Sequence, residues 1–69
     1  MPDATIKTKT IGKYTVEITL VSGYYGSHYE TSLLEERGSQ YYTIFENTYS
    51  TEEKAKAAFY RYTKWAREN

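Results

Sequence analysis

Residues 14 to 21 read Tyr14-Thr15-Val16-Glu17-Ile18-Thr19-Leu20-Val21. Tyr14, Val16, Ile18 and Leu20 fall on one side, and Thr15, Glu17 and Thr19 on the other. This period of 2, carried by β-branched and aromatic residues, predicts a strand with one buried face. Upstream, Thr5 to Ile11 also favours a strand, but its apolar residues are too few to fix a face. Gly12-Lys13 is compatible with a tight turn or with a bulge that carries the first strand into the second. Downstream, Ser22-Gly23-Tyr24-Tyr25-Gly26-Ser27-His28 has the composition of a loop.

Alternation resumes at Tyr29, with Tyr29, Thr31 and Leu33 opposite Glu30, Ser32 and Leu34. The short turn Arg37-Gly38-Ser39 predicts a hairpin with the strand over residues 40 to 47. There Tyr42 and Ile44 face away from Tyr41, Thr43 and Phe45. Bulky residues on both sides suggest a central strand or a functional outer face.

The last segment changes period. Ser50-Thr51-Glu52-Glu53 fits a capping box, with Ser50 as N-cap and Glu53 as the N3 acid. Ala55, Ala58, Phe59, Tyr62, Trp65 and Ala66 then form one helical stripe. Lys54, Lys56, Tyr60, Arg61, Lys64 and Arg67 lie opposite. The helix is expected over about residues 51 to 67. The predicted architecture is α+β: a three- or four-stranded antiparallel sheet with one C-terminal helix on one face, as one domain over residues 1 to 69. Tyr14, Tyr42 and Tyr62 are assigned to its core. The second sheet face is left without a covering element.

Composition narrows the function. The chain has 69 residues, no cysteine and a net charge of +0 from nine basic and nine acidic side chains. Disulfides and thiolate metal sites are excluded. Mean hydropathy is low at -0.79, yet 17% of residues are aromatic, nine of them tyrosine, which is a folded rather than a disordered composition. No apolar run spans a bilayer. Met1-Pro2-Asp3-Ala4 lacks the pattern of a signal peptide, so the expected compartment is cytoplasmic. Neutrality hides a sorted charge. Residues 17 to 53 hold seven glutamates (Glu17, Glu30, Glu35, Glu36, Glu46, Glu52, Glu53) against Arg37, whereas residues 54 to 69 hold Lys54, Lys56, Arg61, Lys64 and Arg67 against Glu68. An acidic sheet repels a phosphate backbone and suits a basic protein surface.

No catalytic constellation stands out. His28 is the sole histidine, with no cysteine and no serine elbow to activate. Adjacent Glu35 and Glu36 on a strand point to opposite faces and cannot converge on one atom. No metal-ligand spacing and no phosphate loop occur; neither metal nor cofactor is expected. The tyrosines carry more information. Tyr24, Tyr25, Tyr29, Tyr41, Tyr49 and Tyr60 are hard to bury in so small a domain. They read either as the rim of a tyrosine-rich core or as a binding surface, for which tyrosine offers large area at low entropic cost. Tyr24 and Tyr25, between Gly23 and Gly26, are the strongest candidates for loop-presented anchors.

The stretch Tyr29-Glu30-Thr31-Ser32-Leu33-Leu34, the hairpin after it, and Tyr49-Ser50-Thr51-Glu52-Glu53 with Ala55 together resemble small ββα proteins encoded by phages, prophages and other mobile elements. The resemblance spans about Tyr14 to Trp65. It implies, by analogy with anti-CRISPR proteins of this size, stoichiometric binding to a host protein or protein complex in the host cytoplasm. The order of strands then helix is also similar to the AP2 and integrase arm-binding folds, which read DNA from the sheet with arginines and lysines. Here the last two strands offer only Arg37.

The expected function is therefore a non-enzymatic protein-binding module. Its expected contact residues are Tyr24, Tyr25, His28 and Tyr29 near the loop and Glu30, Glu35, Glu36 and Tyr41 on the sheet. Two alternatives remain: a nucleic-acid module using the basic helix face, and a subunit that covers its open sheet face with a second copy.

Overall fold

The computed structural model describes residues 4–69. Four strands precede one helix: β1 (Ala4–Ile11), β2 (Tyr14–Gly23), β3 (Gly26–Arg37), β4 (Gln40–Tyr49) and α1 (Glu52–Glu68). The strands form one antiparallel sheet in the order β1-β2-β3-β4, and α1 crosses one face, mainly over β2 and β3. The expected α+β architecture is present, with Thr5 to Ile11 as a separate fourth strand. Gly12, at φ 59, supplies the positive dihedral that the tight turn from β1 to β2 requires.

The alternation over residues 14 to 20 sets the faces. Tyr14, Val16 and Ile18 are buried beneath the helix with Leu33, and register carries the same facing across the sheet through the pairs Val16↔Leu33, Ile18↔Thr31 and Leu20↔Tyr29. From α1, Ala55, Ala58, Phe59 and Ala66 close the core. The two alanines at 55 and 58 let the helix backbone approach the sheet closely enough for the Thr31 hydroxyl to donate to the Ala55 carbonyl at 2.9 Å. Phe45 stacks on Tyr62 at 5.4 Å and meets Trp65 edge-on at 5.1 Å, while Tyr14 closes the other side of Trp65 at 5.2 Å.

Five expectations are corrected. Residues 22 to 28 are not a loop: Ser22↔Ser27 and Gly23↔Gly26 are paired, so β2 and β3 run on until only Tyr24 and Tyr25 turn the chain. The strand over residues 40 to 47 lies at the sheet edge, not its centre. Its register shifts against Leu33 and Leu34, with Leu33 opposite Phe45 and Leu34 opposite Thr43. Ile44 is the extra residue of this bulge, so Phe45 reaches the helix side although simple alternation places it opposite. Tyr42 is 43% exposed rather than core; its hydroxyl donates to Gln40 at 3.0 Å and the Arg37 guanidinium lies 4.8 Å from its ring centre. Finally, the N-cap is Thr51, whose hydroxyl accepts from the Lys54 backbone N–H at 3.3 Å. Pairing of Tyr49 with Tyr29 keeps the chain extended to residue 49, and Ser50 is used in the bend. The N3 residue is then Lys54, so no reciprocal capping box forms; Glu52 and Glu53 still occupy the first turn, where the helix dipole favours them.

Candidate functional site

The eight candidate residues divide into three places. Tyr24 and Tyr25 form the tip of the β2–β3 hairpin. Each is almost wholly exposed, at 95% and 97%, and their rings meet edge-on with centres 5.0 Å apart. The flanking glycines explain how two adjacent tyrosines can make a two-residue turn. Gly26 has φ 128, a dihedral that a side chain disfavours, and a Cβ on Gly23 would come within 3.3 Å of the Gly26 carbonyl oxygen. Neither tyrosine carries a positive φ, so the strain sits on the glycines and the rings are free to project. With Gly23, Gly26, Ser27 and His28 they line a shallow recess.

His28 and Glu30 lie on the helix-free face beside this tip, with His28 Nε2 3.8 Å from Glu30 Oε1. Glu36 and Tyr41 share that face as a cross-strand pair, but eight residues separate His28 from Glu36. At about 3.3 Å per strand residue they stand on the order of 26 Å apart, so the two groups cannot form one compact patch. The remaining two candidates belong to the opposite face. Tyr29 is half-buried and packs on the core. Glu35 is buried at the edge of the helix side, where Lys13 Nζ lies 2.9 Å from one carboxylate oxygen and the Arg37 guanidinium engages the other at 2.6 Å. The expected grouping of Glu35 with Glu30 and Glu36 is therefore broken by strand alternation, and Glu35 is a structural ion-pair centre.

The hydrogen bonds from Lys13 and Arg37 hold the Glu35 carboxyl below its ordinary value of 4.5 and outweigh the opposing effect of burial. The same contact holds the Lys13 ammonium above 10.5. A carboxylate whose folded value is depressed adds stability above the unfolded value and loses it as pH falls through the folded one. Glu35→Gln is accordingly expected to melt below the wild type at pH 7, with the gap closing as pH falls below 4.5. Thermal melts of both proteins from pH 7 to pH 2.5 check this; a gap that stays constant across that range contradicts it.

Register identifies residues on the open face that the sequence reading left out. Glu17 pairs with Ser32, and Ser32 with Glu46; the Ser32 hydroxyl donates to Glu46 Oε2 at 3.4 Å. Glu17 was legible as the polar side of its strand, whereas the facing of Glu46 depends on the bulge at Ile44. The open face thus carries Glu17, Glu30, Glu36 and Glu46, set among threonines, with Val21 and Leu34 half-buried in the same surface. No lysine or arginine among the described residues stands on it. Among the described residues, no cluster of three or more histidine, aspartate or glutamate side chains could hold a metal ion, and no helix is long and apolar enough to cross a membrane.

Comparison with protein-family models, with curated proteins and with solved structures finds no match to this chain.

Proposed function

We propose that the chain is a non-enzymatic protein-binding module whose anchor is the Tyr24–Tyr25 hairpin tip. The observation that supports this is the near-complete exposure of two adjacent aromatic rings on a turn of the tightest kind. A hairpin of ten cross-strand pairs needs no aromatic tip; asparagine or glycine makes such turns at lower hydration cost. Burying two tyrosines against a partner recovers that cost, and a ring held by its neighbour loses little entropy on binding. The adjoining acidic surface, Glu30 with Glu17 and Glu46 behind it, favours approach of a partner with basic residues around its apolar pocket. The resemblance to small mobile-element proteins supports a host protein complex, such as a defence complex, as the partner, bound stoichiometrically and inhibited by occlusion.

The double variant Tyr24→Ala/Tyr25→Ala tests this. It is expected to keep the wild-type melting temperature, since neither ring touches the core. Its capture of the cellular partner is expected to weaken at least 10-fold, about 1.4 kcal/mol. Undiminished capture by a folded double variant would remove the tip from the contact surface.

A further inference from the structure

The sheet separates charge more completely than the linear sequence does. Lys7 and Lys9 pair with Ile18 and Val16, so they face the helix side, although β1 precedes the acidic segment. Lys13 and Arg37 reach Glu35 on that same side. All nine cations of the chain therefore lie on the helix side, against Glu35, Glu52, Glu53 and Glu68. They are not spread evenly. Lys7 Nζ lies 5.2 Å from the ring centres of both Phe59 and Tyr60, which fixes the flank of α1 that faces β1. Helical spacings of four and seven place Lys56, Lys64 and Arg67 on the same flank as Tyr60, with the exposed Glu53 at its N-terminal end. Lys56 is tied to Glu52 at 2.9 Å; Lys7, Lys9, Lys64 and Arg67 form no ion pair among the described residues. Tyr60 is 60% exposed in their midst.

We infer that this flank, bounded by Lys7 and Lys9 of β1 and by Tyr60, Lys64 and Arg67 of α1, binds single-stranded nucleic acid. From Tyr60 to Arg67 it runs about 10 Å along the helix at 1.5 Å per residue, and Lys7 and Lys9 widen it toward β1, room for two or three phosphates of an extended strand. Cations that track a backbone, with an exposed ring among them for a base to stack on, are the elements of sequence-independent single-strand binding. A duplex offers no unpaired base to Tyr60. An anionic membrane calls for a hydrophobic edge that can insert, and among the described residues Tyr60 is the sole large aromatic exposed on this flank. The acidic sheet face, turned away, prevents the strand from wrapping the molecule and confines it to one side. This site is independent of the tyrosine tip.

Fluorescence anisotropy of a labelled 12-mer of thymidylate, titrated with the full chain at 20 and 200 mM salt, tests the inference. Three phosphate contacts predict a slope near −2 in log affinity against log salt, hence roughly 100-fold weaker binding at the higher salt. Lys9→Glu/Lys64→Glu/Arg67→Glu is expected to lose at least 10-fold at 20 mM salt, and Tyr60→Ala roughly 10-fold at both salts, while Tyr24→Ala/Tyr25→Ala binds as the wild type. Thermal melts establish that each variant is folded; if the triple reversal melts early, the Lys9→Gln/Lys64→Gln/Arg67→Gln variant replaces it, with at least a fivefold loss expected. The inference is overturned by absent binding at 20 mM salt, by wild-type affinity in either the charge variant or Tyr60→Ala, or by tighter binding to duplex DNA or to vesicles containing phosphatidylserine.

Discussion

Phe59→Ala is expected to leave the protein largely unfolded at room temperature. Phe59 is 1% exposed and is the largest side chain fully enclosed in the core, where α1 meets Val16, Ile18 and Leu33. Truncating a buried phenylalanine costs about 3–5 kcal/mol, through lost transfer free energy and the cavity left behind. Stability of roughly 0.05–0.15 kcal/mol per residue gives a chain of this length only about 3–10 kcal/mol in total. No disulfide exists to limit the loss. Collapse of the sheet into the cavity is restricted, because the short residues Ala55 and Ala58 already hold the helix close. Urea denaturation followed by tryptophan fluorescence reads the effect through Trp65, which lies between Tyr14 and Phe45. A midpoint within error of the wild type would show that the helix is seated on another face.

Leu33→Ala and Leu34→Ala are expected to differ sharply although the residues are neighbours. Leu33 is fully buried against the helix side, and its truncation should cost about 2–5 kcal/mol. Leu34 is half-buried on the open face among threonines, where a substitution away from the core should cost about 1 kcal/mol or less. Equal losses in parallel urea titrations would mean that both faces of β3 are covered, which the four-stranded, one-helix architecture does not allow for a single copy. The pair therefore also separates a monomer from a chain that buries its open face against a second copy.

Much of this architecture is legible in the sequence because the two periods are clean where the core is built. Tyr14, Val16 and Ile18 alternate without interruption, and Ala55, Ala58, Phe59 and Ala66 keep helical spacing. The misreadings have local causes. Glycine and serine around Tyr24 and Tyr25 signal a turn but do not reveal its length; cross-strand pairing consumes all but two residues. A bulge such as that at Ile44 is invisible to a strict period of 2, and it carries Phe45 inward and decides the facing of Glu46. Ser50 and Thr51 are equally good caps by chemistry, and the choice between them is made by how far β4 stays paired. Thr63 is buried, although its hydroxyl hides it from an apolar pattern; it donates to the Phe59 carbonyl at 2.8 Å and so adds no unsatisfied group. Glu35 looks like surface charge until the β1–β2 turn brings Lys13 to it beside Arg37, which lies two residues on along β3.

For the candidate site, the sequence shows the two tyrosines and the flanking glycines, but not that the rings stand clear of every other element. Nor does it show that eight residues of β3 separate His28 from Glu36, which divides the expected contact surface in two. The convergence of β1 lysines with helix cations likewise depends on strand order, a property of the sheet rather than of any segment.

Site-specific photocross-linking in the producing cell shows whether the Tyr24–Tyr25 tip touches a protein partner. A benzophenone side chain placed at position 25, on the hairpin tip, is compared with one at Ala57, exposed on the outer surface of α1. A discrete cross-linked product is expected between position 25 and a protein other than the chain itself, and none from position 57. A protein cross-link from position 57 with none from position 25, or a cross-link from position 25 only to a second copy of the chain, would contradict it.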